Sequence, residues 1–366
     1  MSIITNKRNQ TIDFLRTIAV ALTLFRHFGI DVFLYKIGWI GVDLFFVLSG
    51  FLVSGLLFNE YKKTERINFV RFVVRRGLKI YPLFYLLLVA FLVETKINPS
   101  LTLSIPLFIA EALFYKNYVG GNIFLVHTWS IDVEEHFYLA LPLVLLLLVQ
   151  VNKKAKNPFK ALPLLFILVA IACLAMRIYT NHIHPTFEHI THVSPTHLRI
   201  DSLFFGTLLS YFYNFHFEAL KAFITNNQKL ILIGSALCLL PALILWDKNL
   251  FMLTGGFTLV YLAFGGILLV GIFSAYEVPA FLVPIYQFSA HIGLYSYATY
   301  ILHWPLYCWF IYPNIAYYDT HYSVRLVAFI IYFITCFGMG WLFSKTIEIP
   351  FLALRDKLFP STSKAL

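Results

Sequence analysis

Runs of about twenty mostly apolar residues recur along the whole chain, and a helix of that length crosses the roughly 30 Å of hydrocarbon in a bilayer. Ten such stretches can be marked, near residues 11 to 30, 38 to 58, 80 to 97, 131 to 151, 161 to 180, 199 to 216, 229 to 246, 250 to 275, 292 to 313 and 325 to 346. Of the 366 residues 60% are hydrophobic and only 13% are charged, whereas soluble domains carry about 25% charged residues. That is too little polar surface to cover a water-soluble core of this length. The expected fold class is therefore an all-α integral membrane protein, a bundle of about ten transmembrane helices, forming one domain over residues 1–366 with no extra soluble domain.

The formal charge of +10 is read as topology, and no nucleic-acid partner is expected. If the N-terminus is cytoplasmic and the ten stretches alternate, nineteen Lys and Arg fall on the inner side and six on the outer side, as the positive-inside rule requires. Both termini are then cytoplasmic, and the lipid bilayer is a partner. Lys7 and Arg8 precede an apolar segment as in a signal peptide, but Asp13, Arg16, Arg26 and His27 interrupt it and no small-residue cleavage site follows, so the segment is expected to stay. Leu101 to Tyr118, short and interrupted by Pro106, is expected to be interfacial or re-entrant. The basic stretch from Tyr61 to Lys79, with Phe69, Val70, Phe72, Val73 and Val74 interleaved, is expected to lie as a helix on the inner surface. Cys173, Cys238, Cys308 and Cys336 sit in apolar stretches without close-spaced pairs and are expected to pack as small apolar residues.

Ionisable residues inside spanning helices cost about 2.5 to 3.5 kcal/mol on insertion scales and so point to function. Arg16 and His27 are eleven residues apart in the first stretch, which puts them on one helix face about 16 Å apart. A cation at one end and a proton acceptor at the other suit an anionic donor and a hydroxyl acceptor; the plainer reading is a snorkelling arginine and an interfacial histidine. Asp43, Glu134, Glu135, Arg199 and Asp201 bring further charge to the same outer half. On the inner side Arg75, Arg76 and Lys79 suit phosphates or anionic headgroups, or simply fix orientation, and Glu348 stands at the inner end of the last stretch. His303 reads first as a packing residue between helices and second as a site residue. His182, His184, His189, His192 and His197 crowd one outer loop, but without cysteine or a helical H-E-x-x-H pattern no metal site is expected.

Taken together these motifs resemble the acyltransferase 3 family of bacterial membrane acyltransferases, from Asp13 to Arg355. Phe14-Leu-Arg16 followed by His27 is similar to the family's signature arginine and catalytic histidine, and Gly41-Val-Asp43 through Ser49-Gly50-Phe51 to its second-helix motif. Arg76-Gly-Leu-Lys79-Ile-Tyr-Pro82 resembles its cytoplasmic R-x-x-R motif, with Lys79 where a second arginine is usual. Thr128-Trp129-Ser130-Ile-Asp132-Val-Glu134-Glu135-His136-Phe137-Tyr138 resembles its W-S-x-x-x-E-x-x-F-Y motif, with Asp132 in place of a serine. Arg199-Ile-Asp201 with Gly206, then Gly293, Ser296, Tyr297, Tyr300 and His303, and Glu348-Ile-Pro350 complete the series.

The resemblance implies an O-acyltransferase that takes an acyl group, usually acetyl, from cytoplasmic acyl-CoA to a hydroxyl of an envelope glycan such as lipopolysaccharide O-antigen or exopolysaccharide. Acetyl-CoA is then a donor substrate, and no permanently bound cofactor is expected. Arg16, Arg76, Lys79 and Arg75 would hold the coenzyme, and His27 would act as base or acyl carrier with Glu134 orienting its ring and Asp43 nearby. Arg199, Asp201, Glu135, Ser130 and His303 are the expected substrate-binding residues. The rival reading is a multi-pass transporter exporting a glycan or acyl carrier, since buried charges also mark ion paths; its usual matching halves with interrupted helices are not evident here.

Overall fold

A computed structural model describes residues 9–29, 31–98, 103–120, 125–153, 155–274, 278–314, 317 and 321–360; Lys7 and Arg8 lie outside the described residues. Among those residues the chain forms helices and turns and no strand, an all-α membrane bundle. The long helices are α1 (Gln10–Phe28), α3 (Ile40–Thr64), α4 (Phe69–Ile97), α7 (Trp129–Val151), α8 (Leu162–Ile183), α10 (Ile200–Phe215), α11 (Phe217–Ile244), α12 (Phe257–Phe273) and α15 (Tyr322–Phe343). Shorter ones are α2 (Val32–Ile37), α5 (Ile105–Ala112), α6 (Lys116–Val119), α9 (His189–His192), α13 (Val283–Gly293), α14 (Ser296–Leu306) and α16 (Ile349–Leu358). Helix covers most of each of the ten expected stretches, but only six segments are long and apolar enough to cross on composition alone: Val32–Thr64, Phe69–Ile97, Leu162–Ile183, Phe217–Ile244, Met252–Phe273 and Tyr322–Leu358. The rest are short, as α10 and α14 are, or carry charge, as α1 does with Asp13, Arg16 and Arg26 and α7 with Asp132, Glu134 and Glu135.

Local signals set the ends. The Asn9 side chain accepts from the Thr11 N–H at 3.0 Å to open α1, and Gly29 closes it in the left-handed conformation at φ 65°. Asn68 caps α4 by accepting from the Arg71 N–H at 2.9 Å. Between Tyr61 and Lys79 the expected surface helix is replaced by the end of α3, a turn, and the start of α4. Of the interleaved apolar residues, Phe72 is buried against the bundle and Val70 is exposed. Over 101–118 the described chain forms α5 and α6, with Pro106 in the first turn of α5, where proline starts a helix. At about 12 Å for eight residues, α5 is far too short to cross.

Helix α3 is the axis of the bundle: 72% of its apolar window is buried, against 17% for those of α8, α11 and the segment holding α15. One apolar core joins α4, α7, α14 and α15, and a second joins α1, α3, α10 and α12. The tightest crossing lies between α3 and α10. A Cβ added at Gly50 would stand 2.0 Å from the Leu203 carbonyl oxygen, and one at Gly206 2.3 Å from that of Val47. Both neighbours are backbone and cannot yield. Gly206→Ala is therefore expected to destabilise the detergent-solubilised protein by about 1–3 kcal/mol, read as a lower thermal unfolding midpoint; an unchanged midpoint would show that the two helices do not cross this closely.

Candidate active site

A cavity of about 750 Å³ opens among the basic residues at one end of the bundle. Its wall includes Arg71, Arg75 and Arg355 near the mouth, then Arg76, Lys79, Arg16, Glu134, Glu348 and Tyr297, and at the far end Ser130, Phe45 and Tyr300. On α3 it is lined from Val42 to Glu60; eighteen residues at 1.5 Å each make about 27 Å, most of the hydrocarbon thickness. Arg76 is the notable cation along it. Its guanidinium lies over the rings of Tyr138, at 5.4 Å, and Phe72, at 5.9 Å, and among the described residues it has no ion-pair partner within 4 Å. Glu134 is carried by α7 into the field of Lys79, Arg76 and Arg16, and its Oε2 accepts from the Tyr138 hydroxyl at 2.7 Å. Ser49 in turn donates to that hydroxyl at 2.6 Å.

The far end is closed by a hydrogen-bonded layer. The Ser130 hydroxyl donates to Tyr300 at 2.6 Å, and the Tyr300 hydroxyl donates to the His127 carbonyl at 2.9 Å. The Phe45 ring stands 5.7 Å from that of Tyr300. One turn farther along α14 lies His303, fully buried, and its Nε2 is 3.0 Å from His27 Nδ1. Bonding partners assign the tautomers. His303 Nδ1–H donates to the Tyr300 carbonyl, which leaves Nε2 as an acceptor. His27 Nδ1–H is then shared between His303 and the Thr23 carbonyl, each at 3.0 Å. The remaining nitrogen, His27 Nε2, keeps its lone pair, which is what a base or nucleophile needs. Trp304 packs edge-on to His27 at 5.0 Å and His127 edge-on to His303 at 4.9 Å.

The expected site residues thus divide. Arg16, Arg75, Arg76, Lys79, Ser130 and Glu134 line one cavity, while His27 and His303 sit together just beyond its closed end. The partner of the imidazole is His303, not Glu134 as the sequence reading had it. Glu135 does not line the cavity and accepts from the Tyr81 hydroxyl at 3.0 Å. Asp43, Arg199 and Asp201 face elsewhere. Arg199 pairs with Asp43 at 2.7 Å, and Arg177 forks onto both oxygens of Asp201 at 2.5 and 2.6 Å. All four are buried, and Arg199 lies 3.8 Å above the Phe257 ring. They form an ionic bracket tying α3, α8 and α10, away from the cavity. Among the described residues no three His, Cys, Asp or Glu side chains stand close enough to hold a metal. The loop histidines are dispersed: His192 bonds backbone carbonyls, and His197, its basicity lowered by partial burial, bonds Tyr118.

Sequence reading missed Arg177, His127 and Arg355. Arg177 had a signal, being the lone charge in the 22-residue helix α8. His127 had none, since it sits in a turn just before the recognised motif and reaches the other histidines only through folding.

Fold and site together define a polytopic helical membrane protein with a cation-lined shaft leading towards a histidine pair. The chain belongs to the acyltransferase 3 family: residues 9–345 match that family's acyltransferase domain. It is 28% identical over 287 residues to O-acetyltransferase OatA of Staphylococcus aureus, covering 74% of this chain and 46% of that protein. It is 26% identical over 321 residues to peptidoglycan O-acetyltransferase OatA of Listeria monocytogenes, covering 81% and 49%. A third relative, an uncharacterized protein of Haemophilus influenzae, is 29% identical over 233 residues, covering 58% of this chain and 91% of that one. The chain thus spans about half the length of the two OatA proteins. No solved structure matches it.

The bracket should matter for stability more than for chemistry. Arg177→Ala leaves the buried Asp201 carboxylate without its partner, and a loss of about 3–5 kcal/mol is expected. Arg177→Met combined with Asp201→Leu should recover most of it in a thermal unfolding assay. A double variant no better than the single one would mean that the pair does more than balance charge.

Proposed function

We propose that the protein is a membrane O-acyltransferase that carries an acyl group, in the first instance acetyl, from cytoplasmic acyl-CoA to a hydroxyl of a glycan on the other side of the inner membrane. The observation that carries this reading is the shaft itself, about 27 Å of α3 lined from a cluster of cations to a layer one helical turn short of the histidine pair. The positive-inside rule puts its mouth in the cytoplasm, where acyl-CoA is made. Arg76, with no ion-pair partner among the described residues, and Lys79 take the coenzyme diphosphate, with Arg16 farther in; Arg supplies a planar fork and Lys a point charge. The pantetheine arm then runs up the shaft towards Tyr300.

At the top, His27 Nε2 removes the proton of the acceptor hydroxyl as its oxygen attacks the thioester carbonyl. Collapse of the tetrahedral intermediate breaks the carbon–sulfur bond, and the leaving thiolate takes the proton back from the imidazolium. Alternatively the same lone pair attacks the thioester first and expels the coenzyme thiolate, and the acyl-imidazolium then passes its acyl group to the hydroxyl, whose proton goes to the thiolate. In both routes His303 accepts from Nδ1–H, so it fixes the tautomer and steadies the positive charge on His27, a positioning role. The layer of Phe45, Ser130 and Tyr300 must part for the thioester to meet His27. The name of the Listeria relative points to peptidoglycan as one acceptor class alongside lipopolysaccharide and exopolysaccharide.

His27→Ala is expected to abolish acylation of envelope glycans, measured by mass spectrometry, while the protein still inserts and purifies; full activity would overturn the mechanism. His303→Ala should cost about 10²-fold or more in transfer rate, with His303→Gln recovering part of it, because the amide oxygen can still accept from His27 Nδ1–H. Arg76→Ala should raise the KM for acetyl-CoA and leave that for acetyl-pantetheine, which has no diphosphate, nearly unchanged.

A further inference from the structure

The mouth of the shaft holds an anion of the protein's own. Arg75, on α4, donates to Asp356 Oδ1 at 2.9 Å and to the Phe359 carbonyl. Arg355, on α16, donates to both oxygens of the same carboxylate at 3.0 Å each. Both arginines are among the residues lining the cavity, so one carboxylate sits between two arginines beside the entrance to a channel read as taking a polyanionic donor. We propose that Arg75 and Arg355 form a second phosphate seat, separate from Arg76 and Lys79, which Asp356 fills until the 3′-phosphate of the coenzyme displaces it. The proposal rests on the acyl-CoA reading above and adds to it a residue outside every motif of the sequence analysis, Arg355, and a resident competitor.

Three features support it. Position comes first: Arg76 faces inward to Tyr138, whereas Arg75 faces outward to α16. With the thioester at the top of the shaft, the coenzyme's diphosphate lies midway and its 3′-phosphate enters last, beside the outward arginine. Strength comes second. The Asp356 side chain is 55% exposed, and an ion pair so open to water is weak and exchangeable. Chemistry comes third, because a phosphate monoester brings nearly two negative charges and three acceptor oxygens against one charge and two oxygens for the carboxylate. Helix α16 follows a π-helical turn, Ser344–Glu348, and rests on α4, so both arginines are presented by elements that also shape the shaft.

The test uses the full chain in nanodiscs of phosphatidylcholine, with acetyl-CoA and acetyl-dephospho-CoA as donors. Asp356→Asn removes the competitor's charge and should lower the KM for acetyl-CoA about three- to tenfold, with no change for the dephospho donor. Arg355→Ala should raise the KM for acetyl-CoA towards that for acetyl-dephospho-CoA. Equal shifts for both donors, or no shift in either variant, would overturn the seat. An Asp356→Asn effect that appears only after phosphatidylglycerol is added would also overturn it, by assigning the arginines to lipid headgroups. If the wild-type protein consumes neither donor, the acyl-CoA reading falls and takes the seat with it.

Discussion

A charge carried into hydrocarbon must find a countercharge, a ring face or water, and each such residue here has met that demand in a different way. Arg177 with Asp201 and Arg199 with Asp43 meet it by pairing, and the pairs clamp α8, α10 and α3 together. Arg76 meets it with ring faces and an open cavity. The difference separates two kinds of buried cation: Arg177 and Arg199 are held by carboxylates away from the cavity, whereas Arg76 is held on aromatic faces beside the shaft.

The architecture was legible in the sequence because lipid is so restrictive a solvent. Helical length, apolar runs and the placement of Lys and Arg follow from it directly, and Gly50 and Gly206 fall where two helix backbones touch. Site composition was partly legible for the same reason, since Arg16, Arg76, Lys79 and Glu134 stand out against apolar neighbours and converge on one cavity. Which charge pairs with which was not legible. Asp43 and Arg199 are 156 residues apart and His27 and His303 are 276 apart, and only the packing of helices decides such contacts. The reading of Glu134 as the partner of His27 came from proximity in depth; the actual partner was on a helix whose histidine looks in sequence like a packing residue.

Helix α14 carries groups of both the shaft and the histidine pair. Tyr300 closes the shaft and His303 holds His27, and the two are three residues apart, one turn, on the same face. The Tyr300 carbonyl accepts from His303 Nδ1–H while the Tyr300 hydroxyl bonds His127 and Ser130. Under the acyl-CoA proposal, a shift of α14 that draws Tyr300 aside to admit a thioester also moves the group that sets the His27 tautomer. Shaft opening and base positioning are mechanically one event.

That coupling matters because a shaft reaching across most of a bilayer is a leak unless its end stays shut. With Tyr300 bonded at both the Ser130 and His127 sides, the resting layer stands between the cavity and the histidine pair. In the proposed mechanism, a donor anchored by its phosphates supplies, through contacts near the far end of its arm, the free energy to break those two bonds, and a free anion without that arm does not. Selectivity for a long anchored donor then follows from the distance between the cations and the tyrosine, with no recognition of the acyl group itself.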